Sequence, residues 1–369
     1  MNQAGVNEKF KVSPFYVFFL VHSMQTGIGV LSFQRVLAKS AGTDGWISIL
    51  LAGLIVHTFI WIIYKIFSIV PGDIISASNH AFGKWAGNFF SLLFILYCFL
   101  LGMTIINSYI NVIHVWMFSE VPSWAFAFVF MTLIYYIITG GFRTITGIAF
   151  LTVAVSYWLI FVPFYGLKYS EFTNILPIFD HTLLEILKGT RSTSLSLIGF
   201  EMILMYYPFL KDAGTSQKFA HGGALLSTLL ALLIYMVSIV FYSERQLELT
   251  LWPTLTITSI IEFPFIQRFE YIIISWWTII IIPNMVIPLW SASRGLKRMF
   301  DIQQKYPLWV MFSLILLVNI FFFDIDSLYI LNKIINPYCV SFLIIYLPLL
   351  YICLQIKKSK KRSGKVKVP

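Results

Sequence analysis

Charge is scarce in this sequence. Only 11% of its 369 residues are Asp, Glu, Lys or Arg, against roughly 25% in an ordinary soluble domain. So few charges cannot cover a globule of this length, which excludes a soluble enzyme, a disordered chain and a nucleic-acid binder. Cysteine is nearly absent as well. Cys98, Cys339 and Cys353 each sit in an apolar run, and their odd number and spacing fit neither a disulfide framework nor a zinc site. There is no His-Glu-x-x-His, no Gly-x-Ser-x-Gly and no P-loop, and the six histidines show no ligand-like spacing. An enzyme, a metal site and a cofactor site are therefore not expected. The residues before Pro14 are polar and show no cleavable signal pattern. What is abundant is apolar surface, 59% hydrophobic and 18% aromatic residues, the composition of an all-α polytopic membrane protein.

A bilayer core takes about 20 mostly apolar residues per helix. On that rule the chain holds ten candidate spans. The first five are Val12–Leu37, Trp46–Val70, Phe89–Met117, Ser123–Thr139 and Thr144–Leu167. The second five are Ser192–Leu210, Ala220–Tyr242, Phe269–Ser293, Leu308–Phe323 and Ile335–Ile356. An even number puts both termini on one side. With the N-terminus inside, 18 of the 26 Lys and Arg residues fall on the inner side and eight on the outer, so the positive-inside rule makes that side cytoplasmic. The net charge of +10 thus reports orientation, not a nucleic-acid partner. The basic tail at residues 357–369 is expected to meet anionic lipid headgroups. No long polar insert divides the chain, so residues 1–369 read as one domain, with repeats at 1–170 and 180–356.

Two spans are interrupted, each the first of its five. One carries Thr26-Gly27-Ile28-Gly29 in its middle, where each glycine weakens a helix by about 1 kcal/mol relative to alanine. The other carries a run of serines and threonines, then Ile198, Gly199, Phe200 and Glu201. Corresponding interrupted spans point to the binding site of an inverted-repeat transporter. A broken helix exposes N–H groups and a positive dipole end to an anion, and freed carbonyls to a cation. Glu201 is an acid in an apolar run, at a cost of at least about 2.5–3.5 kcal/mol if it lies at mid-membrane. It reads either as a proton or ion site or as a structural lock on the broken helix. In the third span Thr104, Asn107, Asn111 and His114 share a helical face, lining a watery vestibule or facing polar groups of another helix, and Tyr97 lies deeper. Pro283-Asn284 in the eighth span frees a carbonyl and supplies an amide, or merely kinks the helix. The stretch after Trp252-Pro253 is too short to span and reads as an amphipathic helix on the outer face.

Several stretches together resemble the B subunits of bacterial spore germinant receptors. They are Thr26 through Arg35 with Asp44-Gly45-Trp46, Gly199-Phe200-Glu201 followed by Pro208, and Trp252-Pro253-Thr254. Gln267-Arg268-Phe269-Glu270 and Gly295-Leu296-Lys297 complete the set, in order along essentially the whole chain. Phe33 departs from the pattern, standing where the family usually shows a proline. The resemblance implies the amino-acid–polyamine–organocation transporter superfamily and its five-plus-five inverted repeat with helices 1 and 6 broken. It implies a subunit of the spore inner membrane that binds a small nutrient, commonly an amino acid, and works with an A subunit and a C lipoprotein. Carried over by position, the pocket falls on Thr26, Gly27, Ile28, Gly29, Tyr97, Leu101, Ile198, Gly199, Phe200 and Asn284, with Glu201 beside it. A proton- or sodium-coupled amino-acid permease is the rival expectation.

Overall fold

Long apolar runs punctuated by Gly, Pro and Asp fold here into helices alone, among the described residues of a computed structural model. The structure describes residues 6–261, 264, 268–321 and 325–363. Gln267, Phe323 and the tail beyond Ser363 lie outside them, as do the side chains of Lys333 and Cys339. The first span divides into α1 (Tyr16–Gln25), a 3₁₀ turn at Ile28–Leu31, and α2 (Phe33–Ala41). The second is α3 (Gly45–Ile69). A short helix, α4 (Ile74–Phe82), follows with its first turn capped by the Asp73 carboxylate, which accepts from the Ser76 N–H at 3.0 Å. Next come α5 (Lys84–Trp116), α6 (Ser123–Thr139) and α7 (Phe142–Ser156), the last running on as 3₁₀ helix over Tyr157–Tyr169. Pro163 lies within that stretch and cannot donate to the turn before it.

The second half begins with α8 (Leu183–Ser196) and resumes after its break in a 3₁₀ turn at Phe200–Met202 and α9 (Ile203–Tyr206). Then follow α10 (Gln217–Phe241), the short α11 (Glu244–Leu249) and α12 (Pro253–Ser259), α13 (Phe269–Phe300), α14 (Lys305–Phe321) and α15 (Ile325–Ser363). Six described helical stretches are long and apolar enough to cross a membrane, and α6 and α14 are shorter apolar helices. Together with the two interrupted spans they are consistent with the ten expected. One boundary moves considerably: the helix that carries the sixth span starts at Leu183, well before Ser192. Thr182 and Glu185 form a capping box there, so the helix begins in a polar segment, ahead of the span itself, that apolar content alone assigns to a loop. The eighth span runs unbroken from Phe269 to Phe300 despite Pro283 and Pro288.

Packing between the halves is reciprocal. The N-terminal part of the first span, α1, lies on α10, while α3 lies on α8, and α5 pairs with α13. Exchanging first with sixth, second with seventh and third with eighth span returns the same neighbours, as an inverted repeat requires. On the face that carries the termini, Val12 N–H donates to Phe209 O at 2.8 Å and Lys211 N–H to Val12 O at 2.9 Å, tying the N-terminal segment to the end of the sixth span. Just inside, Phe142, Tyr206, Phe209 and Trp290 form an aromatic plug with ring centroids 4.8–5.6 Å apart. The Arg294 guanidinium sits over Phe209 at 5.1 Å.

Candidate functional site

α1 stops at Gln25 because Thr26 and Gly27 leave helical geometry. Gly27 no longer donates to Ser23, and the freed carbonyl is taken by another helix: Asn284 of α13 donates from Nδ2 to Ser23 O at 2.7 Å. The same amide reaches Ile280 O at 3.3 Å, on its own helix. Asn284 is buried, and its side chain occupies the space a β-carbon on residue 27 would need, 2.2 Å from Oδ1. Glycine is therefore required sterically at 27, beyond any helix-weakening role. Thr26 closes its side of the break by donating from Oγ1 to His22 O at 2.8 Å.

The second break is tied to the first. Leu197 O, left over where α8 ends, accepts from Gln25 Nε2 at 2.6 Å. Gly199 turns the chain at φ +120°, a conformation glycine adopts without strain, and a β-carbon there would lie 2.6 Å from Met24 Cβ. Gly29 faces Ser196 at similarly close range, 3.3 Å from a built β-carbon to Ser196 Cβ. The two breaks thus touch along both sides.

Glu201 is fully buried in the first turn of the resumed helix. Its Oε2 accepts from the Gly199 N–H at 2.7 Å and its Oε1 from the Tyr97 hydroxyl at 2.5 Å. The acid therefore occupies the orphan backbone donor of its own break and links it to α5. Tyr97 is held for this contact by stacking against Phe94 and Phe342, with centroids 5.9 Å away in each case. Of the residues singled out by sequence, Gly27 and Asn284 meet at the first break, Gly29 lies against the end of α8, and Tyr97, Glu201 and Gly199 are linked at the second, while Thr26 bonds back within its own helix. Ile28 opens the 3₁₀ turn, against which α5 packs, and Leu101 lies buried one turn beyond Tyr97 on that helix. Ile198 lies within the second break, partly buried against the core. The Phe200 ring stacks on Phe59 of α3, centroids 6.3 Å apart.

Sequence reading passed over Ser23, Met24 and Gln25, whose roles depend on partners at least 170 residues away. It left the polar stripe of the third span open between a vestibule and another helix. Asn107 settles its own part, accepting from Asn319 Nδ2 of α14 at 2.9 Å while 1% exposed. It also missed a histidine pair, His57 on α3 and His221 on α10, with Nδ1 atoms 2.8 Å apart. Among the described residues no group of three or more His, Cys, Asp or Glu side chains is arranged to hold a metal. A cavity of about 80 Å³ borders the first break on the side facing α7 and α10, and of the predicted pocket residues Thr26 is the one that lines it.

The chain as a whole is similar to known proteins. The family described as spore germination protein matches residues 11–328. GerQB, a spore germination protein of Bacillus cereus, is 43% identical over 354 residues, covering 96% of this chain and 98% of that one. Spore germination protein A2 of Bacillus subtilis (strain 168) is 24% identical over 85% of this chain and 86% of its own length. Among solved structures, MhsT in complex with L-phenylalanine superposes with a TM-score of 0.63 at 14% identity, covering 93% of this chain and 96% of that chain. Mhp1, a nucleobase-cation-symport-1 transporter in a closed conformation with bromovinylhydantoin bound, gives 0.61 at 12% identity, covering 90% and 77%. The likeness in structure establishes the five-plus-five transporter fold, and the match in sequence establishes kinship: this integral membrane protein belongs to the spore germination protein family.

Proposed function

We propose that this chain is the germinant-sensing subunit of a spore nutrient receptor. The carrying observation is the meeting of two helix breaks, with Gln25 bridging to Leu197 O and Gly29 lying against Ser196. A small nutrient, an amino acid in the first instance, enters between them. Its carboxylate meets the N–H groups around Gly27–Gly29, and its ammonium meets carbonyls around Ile198–Phe200. Tyr97, Leu101 and Asn284 shape the side-chain end of the pocket. Binding favours one of two bundle arrangements by its differential affinity for them. An A subunit and a C lipoprotein read that arrangement, in the spore inner membrane. Both termini are cytoplasmic, and the exposed Lys357, Lys358 and Lys360 at the end of α15 face anionic headgroups.

The transporter fold favours a second reading, a permease coupled to protons through Glu201 or to sodium. Two measurements separate them. Spores lacking this chain lose the response to one germinant in a screen of amino acids and sugars, whereas a permease alone leaves every germination response intact. Purified protein in proteoliposomes shows binding without concentrative uptake of labelled nutrient; robust uptake would sink the receptor-only reading. Gly27→Leu, which puts a side chain into the space held by Asn284, is expected to abolish that germinant's binding at normal protein levels.

A further inference from the structure

We propose that His181 is a proton-operated latch on the face opposite the termini, tying the start of α11 to the entry of α8 when its imidazole carries two protons. The segment before α8 folds onto the turn between α2 and α3. There Asp44, fully buried, accepts from the Phe179 N–H at 2.7 Å on Oδ1 and from the His181 N–H at 3.0 Å on Oδ2. Thr43 Oγ1 donates to Pro177 O at 2.8 Å, and the Tyr235 hydroxyl of α10 donates to Gly42 O at 2.5 Å, so the turn is held from both sides. The His181 ring lies between two carboxylates. Its Nδ1 is 3.3 Å from Asp44 Oδ2, and its Nε2 is 4.0 Å from Oε1 of Glu244, the first residue of α11. Gly42, at φ +40°, makes room for this meeting: a β-carbon there would lie 2.5 Å from both His181 Cε1 and Glu244 Oε1.

Charge and hydrogen-bond chemistry give the ring its role. Among the described residues no Lys or Arg forms an ion pair with Asp44 or Glu244. Arg245, next in the chain, turns instead to Glu248 at 3.5 Å. Asp180 beside the ring in sequence, Glu185 of α8 and Tyr235 of α10 are the other titratable groups around it, and none is basic. Burial raises the Asp44 carboxyl, but the N–H donors of Phe179 and His181 outweigh it and hold the group below its ordinary value, so it is ionised at neutral pH. An ionised carboxylate only accepts, so His181 Nδ1 donates to it in either protonation state. In the neutral ring Nε2 then presents a lone pair to the lone pairs of Glu244, which accounts for a separation too long for a hydrogen bond. A second proton turns Nε2 into a donor and the contact into a charge-assisted hydrogen bond.

The latch joins the turn after α2, the entry to α8 and the start of α11, and α2 and α8 both connect this face to the breaks. Proton uptake therefore stabilises the packing of all three elements. That stabilisation is present below the ordinary histidine range, near about pH 6.5, and is lost as pH rises through it. The device does not require the receptor reading. Hydrogen exchange on the full chain in detergent reads it at the N–H groups of Leu247 and Thr250, which bond Ser243 O and Gln246 O within α11. After correction for intrinsic rates, their protection is expected to be at least about threefold greater at about pH 5.5 than at about pH 8. Both conditions lie above the ordinary carboxylate range, so the capping box on α8 stays ionised throughout. His181→Gln, whose amide still donates to Asp44, removes the difference. Glu244→Gln, at a half-exposed position where folding is spared, removes it as well. A pH difference missing from the parent protein, or one that survives in either folded variant, would overturn the proposal.

Discussion

Glu201 has no exposed surface, yet each carboxylate oxygen has a donor, Gly199 N–H on one side and Tyr97 hydroxyl on the other. Glutamine at this position cannot accept at both oxygens, because one becomes an NH₂ group. Glu201→Gln is therefore expected to cost about 1–3 kcal/mol, the penalty of one buried polar group left unmatched, and to lower the thermal midpoint in detergent. A midpoint unchanged from the parent protein would show that the two contacts carry no stability. Gly199→Ala is the sharper lesion, since it meets both the unfavourable φ of +120° and Met24 Cβ. A loss of at least about 1–3 kcal/mol follows from the backbone conformation alone. At this scale the sequence was half legible. An acid in an apolar run stands out by its cost, and paired glycines stand out by their rarity in helices. Gln25 did not stand out, because an amide next to a glycine looks the same whether it faces water or a carbonyl 172 residues away.

Helix ends mark where reading by hydropathy succeeds and fails. The first break was visible because Gly27 and Gly29 interrupt a run that is otherwise continuous. The start of α8 was hidden, although Thr182 and Glu185 have capping-box spacing, because Lys188 and Arg191 make that segment resemble a loop. Likewise α4 falls in a polar connection too short to span, and only the Asp73 cap betrays it. The capping box on α8, ahead of the span, carries a pH signature. Hydrogen bonds from Thr182, first its hydroxyl and then its backbone N–H, hold the Glu185 carboxyl below its ordinary value. A carboxyl with a lowered folded value contributes stability above its unfolded value and loses it as pH falls through the folded one. The first turn of α8 is thus expected to fray on acidification below the ordinary carboxylate range. Hydrogen exchange at Ile186, whose N–H bonds Thr182 O at 3.1 Å, should accelerate there in the parent protein, and already at neutral pH in Thr182→Ala.

Across the whole molecule, the all-helical membrane fold and its reciprocal packing follow from hydropathy and from the matching interruptions of the two halves. The cross-links that fix them do not, since each joins residues far apart in sequence. His57 and His221 are one example. Another closes the face bearing the termini: Arg298, at the end of α13, donates to the Asp73 carboxylate and, at 2.6 Å, to Ser76 Oγ, pinning α4. Asp73 is 4% exposed and also caps α4, so it serves two elements at once. Asp73→Ala is expected to destabilise the fold by about 1–2 kcal/mol through the lost cap alone, and by more than Arg298→Gln, which spares that cap. Equal thermal midpoints for the two variants would assign the whole effect to the ion pair.

The bond from Gln25 to Leu197 O has a consequence for motion. Because one amide spans both interruptions, neither half can hinge while the other stays put without stranding a buried donor and acceptor at mid-membrane depth. In the receptor proposed above, half-open intermediates are thereby penalised, and the change between its two arrangements acquires a threshold. A stimulus too weak to move both breaks together leaves the molecule where it was.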